Sequence, residues 1–380
     1  MLNTGPDFGE RLKNARKARG LTQEAVATKL GILRTTLVAI EKGERRVTPG
    51  ELIEMATMYG RAVSEFVSKR ANIEPFVPRF GAAESELIAA AMELESLARD
   101  YVELEEINDS IRTPDFPPVY ALDVPGVTPD QRGEEVSAEE RTRLGLGDGP
   151  VADLRSLLEA AVGIRIFYLD LPSKAGGIYA CNDELGACIA INRKHPLTRG
   201  NWSLAHEYGH FLTTRYLADV SLMHGHWGKL AAERFAEAFA KNFLMPRTGV
   251  TRRLSEMAKA HGKGVTIGDV MSLAHVYGVS IEAMFRRLEE LKRLTSGAWD
   301  KLVEKHEARA ALGTQAGPQP PMLPLRYRLL AQCAFDCREL LTEGQLARKL
   351  RTDRVAARLE MESLRSLAGV KLDASELVAV

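Results

Sequence analysis

The sequence is short of several things at once, and each shortage narrows what the chain can be. It holds four cysteines in 380 residues (Cys181, Cys188, Cys333 and Cys337). That is too few for a disulfide scaffold, and their spacings match no zinc-finger pattern, so free thiols in a reducing compartment are expected. No apolar run reaches the roughly 18 residues of a membrane-spanning helix. The opening stretch, MLNTGPDFGERLKNARKARG, lacks the apolar centre of a secretory signal. A cytoplasmic location with no membrane partner is therefore the expectation. Net charge is missing too, because 51 basic residues balance 51 acidic ones, and no global field draws in nucleic acid. What remains, 45% hydrophobic and 27% charged residues, describes an ordinary soluble protein with room for two or three domains.

The neutral total hides local imbalance. Residues 1–70 carry 13 Lys and Arg against 8 Asp and Glu, a net of +5, whereas residues 81–110 carry 9 acidic residues and one Arg, a net of −8. Within the basic part, residues 8–68 hold five short helical patterns with tight breaks: Gly20 stops the first, Thr22 caps the helix 23–30, Gly31 turns into 33–41, and Thr48-Pro49 opens the next. Two short helices joined by a glycine-bearing turn suit a helix-turn-helix. The helix at 33–41 would bury Leu37 and Ile40 and present Arg34, Thr35, Thr36 and Ala39 to base edges. Gln23, at the N-terminal end of the preceding helix, is placed to meet a phosphate, and Lys42, Arg45 and Arg46 suit backbone contacts. Leu21-Thr-Gln23, Ala27, Leu30-Gly31, Thr36, Ile40-Glu41, Gly43, Arg45 and Pro49 resemble the lambda-repressor-like (XRE) family. That resemblance implies double-stranded operator DNA as a partner, and a helix-turn-helix of this type reads a pseudo-palindrome as a homodimer.

The next segments carry fewer signals. Residues 83–110 read as a long acidic helix whose charge faces water, or which docks on the basic head when DNA is absent. Residues 112–150, rich in Pro, Gly and charge, read as irregular structure. From 151 the pattern changes to a helix (Val151–Val162) and three short strands, Ile164–Tyr168, Gly176–Ala180 and Ala187–Ile191, expected to pair antiparallel. A helix at 201–215 follows, holding His206-Glu207-Tyr208-Gly209-His210.

That motif carries chemistry. At about 3.6 residues per turn, positions i and i+4 share a face, so both imidazoles can reach one metal ion. Glu207, one residue beyond the first histidine, can serve a water without occupying the metal. Catalytic zinc takes three protein ligands and leaves its fourth position for water, so one more ligand is needed. Glu233, 23 residues after His210 and at the start of an apolar-periodic helix ending at Met245-Pro246, is the candidate. Hydrolysis of an amide follows, with Zn2+ or another divalent ion such as Mn2+. Tyr216, His224 and His226 are candidates for steadying the oxyanion, the two histidines also suiting a plain surface loop.

WSLAHEYGHFL and ERFAEAFAKNFLMP, preceded by Ile189-Ala-Ile191-Asn192, make residues 151–294 resemble the ImmA/IrrE metallopeptidases. The resemblance implies that His206, His210 and Glu233 bind the metal and that Glu207 is the general base. Glu237 stands where many members have Asn, which makes it a supporting carboxylate or an alternative ligand. It further implies cleavage of a repressor, this chain or a partner, on a stress signal that is single-stranded DNA in some members. Two rival readings follow: a regulator whose peptidase-like domain senses without cutting, or an antitoxin-type interaction module.

The expected chain is α+β and predominantly α. A five-helix DNA-binding domain occupies 1–70, a linker with an acidic helix 71–150 and a peptidase core with a small antiparallel sheet 151–250. A helix-turn-helix-like extension, expected to pack rather than to bind DNA, spans 251–311, and a separate C-terminal helical module of unassigned role spans 312–380.

Overall fold

The structure is a computed structural model. It describes residues 6–59, 63, 66, 85–112, 116–182, 184–215, 225–262, 264–304, 320–336 and 340–368. Tyr216, His224 and Cys337 lie outside them, as does most of the fifth helix expected at 63–69.

The N-terminal helices follow their caps. They are α1 (Pro6–Ala18), α2 (Gln23–Leu30), α3 (Arg34–Glu41) and α4 (Pro49–Tyr59). Thr22 accepts a hydrogen bond from the Ala25 N–H, satisfying one orphan donor of α2, and Gly31 ends α2 in the left-handed conformation at φ 66°. Phe8, Leu12, Val26, Leu37, Ile40, Leu52 and Tyr59 close one small core. Inside it Arg16 meets Glu41 at 2.5 Å and Gln23 donates to the same carboxylate at 2.8 Å, so the buried charge on α3 has partners on the two other helices α1 and α2.

The middle of the chain is built around three strands, β1 (Arg165–Leu169), β2 (Gly177–Asn182) and β3 (Gly186–Asn192), in the order β1-β3-β2. The expectation of an antiparallel sheet is corrected here. β2 and β3 form an antiparallel hairpin, but β1 runs parallel to β3, with Ile166 opposite Ile189 and Tyr168 opposite Ile191. The cause is burial: Ala187 to Ile191 are all fully buried, so β3 needs cover on both faces and both edges and takes the centre. The segment after β1 then crosses to the far edge.

Strand alternation splits the sheet between two cores. Ile166, Tyr168, Tyr179, Ile189 and Ile191 face the first, with α7 (Leu154–Ala161), α8 (Leu197–Thr214), α9 (Gly225–Leu244), α10 (Arg247–His261), α11 (Ile267–Val276), α12 (Ile281–Glu290) and α13 (Ala298–Glu304). The pair α11–α12 is capped by Thr266 with Asp269 and then by Ser280. Met284, Phe285, Leu288 and Leu291 join this core, in keeping with a packing role.

Phe167, Leu169, Ile178, Ala180, Cys188 and Ala190 face the second core, and here two expectations fail. The acidic helix α5 (Ser85–Ile107) does not have a merely solvated face, and the C-terminal residues are not a separate module. α5 packs on the sheet through Leu94, Leu97, Ala98, Tyr101 and Leu104. α14 (Leu325–Asp336), α15 (Glu343–Lys349) and α16 (Arg354–Ala368) complete the same core with Tyr327, Ala331, Leu346, Ala357 and Met361. Charge selects the pairing: Arg351 reaches Glu93 at 2.7 Å and Asp100 at 2.8 Å, Lys349 reaches Asp100 at 2.9 Å and Glu103 at 3.0 Å, and Arg165 and Arg326 share Glu105.

Residues 112–150, expected to be irregular, contain a regular helix. Pro129–Arg143 form helix α6, opened by a capping box between Thr128 and Gln131 with Pro129 in the first turn. Its buried face is Gly133, Val136, Ser137, Glu140 and Arg141, polar enough to hide the usual apolar period. Arg141 donates to the Phe243 carbonyl at 2.5 Å and to that of Gly147 at 2.8 Å, which fastens α6 to the end of α9. No described helix is long and apolar enough to cross a membrane.

Candidate metal centre and nucleic-acid interface

α8 is pinned by the buried side chains of Leu204, Ala205, Tyr208, Phe211 and Leu212, which leaves His206, Glu207 and His210 on the side turned to α9 and β2. α9 crosses it with Phe235, Phe239 and Phe243 stacked one turn apart. Gly209 makes the crossing close, because a Cβ there would lie 3.1 Å from the Ala236 Cα. Glu233 sits in the middle of α9 rather than at its start, since the helix begins at Gly225. The expected loop around His226 is thus helical at that residue.

The helix pair brings His206, His210 and Glu233 to one point, their ligand atoms all within 4.8 Å of one another. The two Nε2 atoms are 3.2 Å apart, and Glu233 oxygens lie 3.4 Å from His206 Nε2 and 3.5 Å from His210 Nε2. Ligands about 2.0–2.1 Å from a tetrahedral zinc stand about 3.3–3.4 Å from each other, so two nitrogens and a carboxylate at these separations fit that ion and leave one position open. Glu237 lies 3.5 Å from the other nitrogen of His206, Nδ1, and accepts a hydrogen bond from the Trp202 indole at 3.2 Å. That is where a carboxylate orients a metal-binding imidazole, so the geometry favours the supporting role over the ligand role.

Electrostatics agree with a site built for a cation. Burial works to lower the pKa of His206, but the hydrogen bonds to Glu233 and Glu237 and the charge of Glu207 outweigh it and push it up to about 10. The hydrogen bonds from His206 and His210 hold Glu233 well below the usual carboxylate range against partial desolvation, and the bond from His206 lowers Glu237 as well.

The carboxylate of Glu207 lies over the start of β2. A Cβ on Gly177 would come 3.0 Å from the Glu207 Cγ and 3.2 Å from both its Oε1 and the Ala190 carbonyl, so only glycine leaves that space. Asn192 fixes the chain entering β2: its backbone N–H donates to the Gly176 carbonyl at 3.0 Å, and its buried amide donates to the carbonyls of Ala175 at 2.9 Å and Pro172 at 3.1 Å. Behind the motif, Tyr208 donates to the fully buried Glu140 at 2.5 Å, and Arg143 and Tyr120 hold the same carboxylate. Burial and the Glu140 charge push the Tyr208 phenol above its ordinary range. Glu140 and Asn192 are supports that sequence reasoning missed. The only signal was the strand end Ile189-Ala-Ile191-Asn192.

Of the DNA-contact candidates, Gln23 and Arg34 line one concavity of the N-terminal bundle. Arg34, Thr35, Lys42 and Arg46 are exposed, while Thr36, Ala39 and Gln23 are half-buried. Gln23 is already engaged with Glu41, and Arg45 pairs with Glu51 at 2.9 Å, a residue that also accepts from the Thr48 N–H at the start of α4. Arg45 therefore braces the turn as well as offering charge. A concavity of about 410 Å³ beside α2 is lined by Lys13, Arg16, Lys17, Thr22, Gln23, Glu24 and Arg34. Lys13 and Lys17, four apart on α1, add cations that sequence reasoning passed over.

Comparison with known proteins agrees with both halves. Residues 159–289 match the family model of the IrrE N-terminal-like domain, and residues 7–66 match that of a helix-turn-helix domain. No curated protein matches the chain. The chain is thus a fusion of an XRE-like helix-turn-helix domain with an ImmA/IrrE-type, IrrE N-terminal-like peptidase domain.

Proposed function

We propose that this chain is a cytoplasmic DNA-binding regulator whose zinc-dependent endopeptidase cuts a repressor, itself or a partner, in response to a stress signal such as single-stranded DNA. The observation that supports it most is the convergence of His206, His210 and Glu233 at tetrahedral spacing, with Glu207 beside them and over the open edge of the sheet.

His206, His210 and Glu233 would hold the ion, and Glu237 would orient His206. When bound, zinc acidifies water and polarises the substrate carbonyl. Glu207 takes the proton from the attacking water and passes it to the leaving amine, so the same carboxylate acts as base and then as acid. β2 is an edge strand, so an extended peptide adds to it by backbone hydrogen bonds and its scissile carbonyl runs past Glu207. A folded substrate does not fit such an edge, whereas an exposed repressor segment does. The helix-turn-helix domain reads operator DNA through Arg34, Thr35, Thr36 and Ala39, with Gln23, Lys42, Arg45 and Arg46 on phosphates, and does so as a homodimer on a two-fold site.

The test is a time course of chain and added repressor with single-stranded DNA, before and after chelation and zinc return. Fragments that vanish on chelation and reappear with zinc support the reading. An unchanged pattern in all three conditions contradicts it.

A further inference from the structure

The C-terminal helices repeat the capping and burial pattern of the N-terminal helices 320 residues further along the chain. Thr342 caps α15 by accepting from the Gln345 N–H, as Thr22 caps α2 by accepting from the Ala25 N–H. Leu346 and Ala347 are buried where Val26 and Ala27 are, and Ala357 is buried where Leu37 is. Arg351 takes the left-handed conformation at φ 55°, where Gly31 has φ 66°. In this pattern α16 holds the position that α3, the proposed base-reading helix, holds in the N-terminal unit.

The outward face has changed character. At the positions of Gln23 and Lys42, which suit phosphates, the repeat carries Glu343 and Glu362. At the positions of Thr35 and Ala39, which suit bases, it carries Val355 and Leu359. These two are 67% and 62% exposed, four residues apart on one side of α16, and Arg358 beside them is neutralised by Glu343 at 2.7 Å. Acidic groups at phosphate positions repel a nucleic acid, and an apolar centre with a charged rim is the anatomy of a protein contact.

We propose that this face of α16 binds the same face of a second copy of the chain. Its charges are self-complementary: Arg354 at the N-terminal end and Glu362 two turns later are both exposed. Antiparallel apposition about a two-fold axis sets Val355 and Leu359 against Leu359 and Val355 of the other copy. The same operation lays the Arg354 end of each helix beside the Glu362 end of its partner, as an isologous contact requires. The repeat is therefore a helix-turn-helix scaffold turned from reading DNA to holding two protease chains together, whatever the peptidase cuts.

Sedimentation velocity of the full chain tests this, with circular dichroism to confirm folding of each variant. The wild type sediments as a dimer at micromolar concentration. Leu359→Glu raises the dissociation constant by on the order of 30-fold, the loss expected from a central apolar contact. Arg354→Glu weakens it by about three- to tenfold, and the double variant Arg354→Glu with Glu362→Arg restores it, because the swapped charges meet again across the axis. A monomeric wild type, a folded Leu359→Glu that remains as dimeric as the wild type, or a charge swap that fails to restore association would each overturn the proposal. So would loss of DNA affinity in Leu359→Glu at unchanged mass, which would assign the face to nucleic acid.

Discussion

At the scale of single residues, the site depends on groups that touch the ligands as much as on the ligands. Glu237 lies 3.5 Å from His206 Nδ1 and orients the ring, so Glu237→Gln lowers zinc affinity by about 10- to 100-fold. Competition with a chromophoric chelator measures this, with DNA affinity as the unchanged control. Gly177 leaves room for Glu207, and Gly177→Val displaces that carboxylate while sparing the ligands. Loss of cleavage at full zinc stoichiometry is the expected result. In the DNA module, Arg34→Ala costs about 1–3 kcal/mol at one base position, and Lys42→Ala flattens the salt dependence across all sequences. Arg45→Ala does more than Lys42→Ala, lowering thermal stability as well, because Arg45 braces Glu51. The clustering of His206, His210 and Glu233 and the exposure of Arg34, Lys42 and Arg46 were legible in sequence because spacing on a helix is local information. The roles of Asn192 and Glu140 were not, since each acts on carbonyls or hydroxyls far away in sequence.

At the scale of elements, caps were the most readable signals. Thr22 and Gly31 each stood where the sequence placed them. α6 escaped notice because a helix that buries Ser137, Glu140 and Arg141 shows no apolar stripe. The strand directions escaped too, because alternation assigns faces and not neighbours. On α7, burial pushes Glu159 up to about 6, against the pull of Arg155 at 3.0 Å. The fold therefore binds this proton more tightly than the unfolded chain does. The benefit is full below the ordinary carboxylate value and is lost as pH rises through 6. Glu159→Gln should match wild-type stability at pH about 4 and exceed it by about 1–2 kcal/mol above pH 7, as read from urea melts. A stability difference that does not vary with pH contradicts the assignment.

At the scale of the whole molecule, the charge map explains what composition left obscure. The segment with a net of −8 supplies Glu93, Asp100, Glu103 and Glu105 to Arg351, Lys349, Arg165 and Arg326. The Lys349 and Arg351 pairs join residues 246 to 258 apart and cannot be matched from a single sequence, so the acidic helix and the C-terminal helices read as two different modules. They are the two halves of one core. Removing residues 320–380 therefore uncovers the apolar face of the sheet at Phe167, Leu169 and Ile178, and the truncated chain should aggregate or lose several degrees of thermal midpoint. A truncated chain as soluble and as stable as the full one would mean that the second core is dispensable.

The central claim is that one polypeptide reads DNA and cuts a repressor with Glu207 as its base. Its most direct measurement is intact-mass analysis of zinc-loaded wild type and Glu207→Gln, each with and without single-stranded DNA and a partner repressor. Discrete fragments are expected from the wild type under at least one condition and none from Glu207→Gln, which keeps its zinc. Wild type and Glu207→Gln giving the same masses under every condition would contradict it.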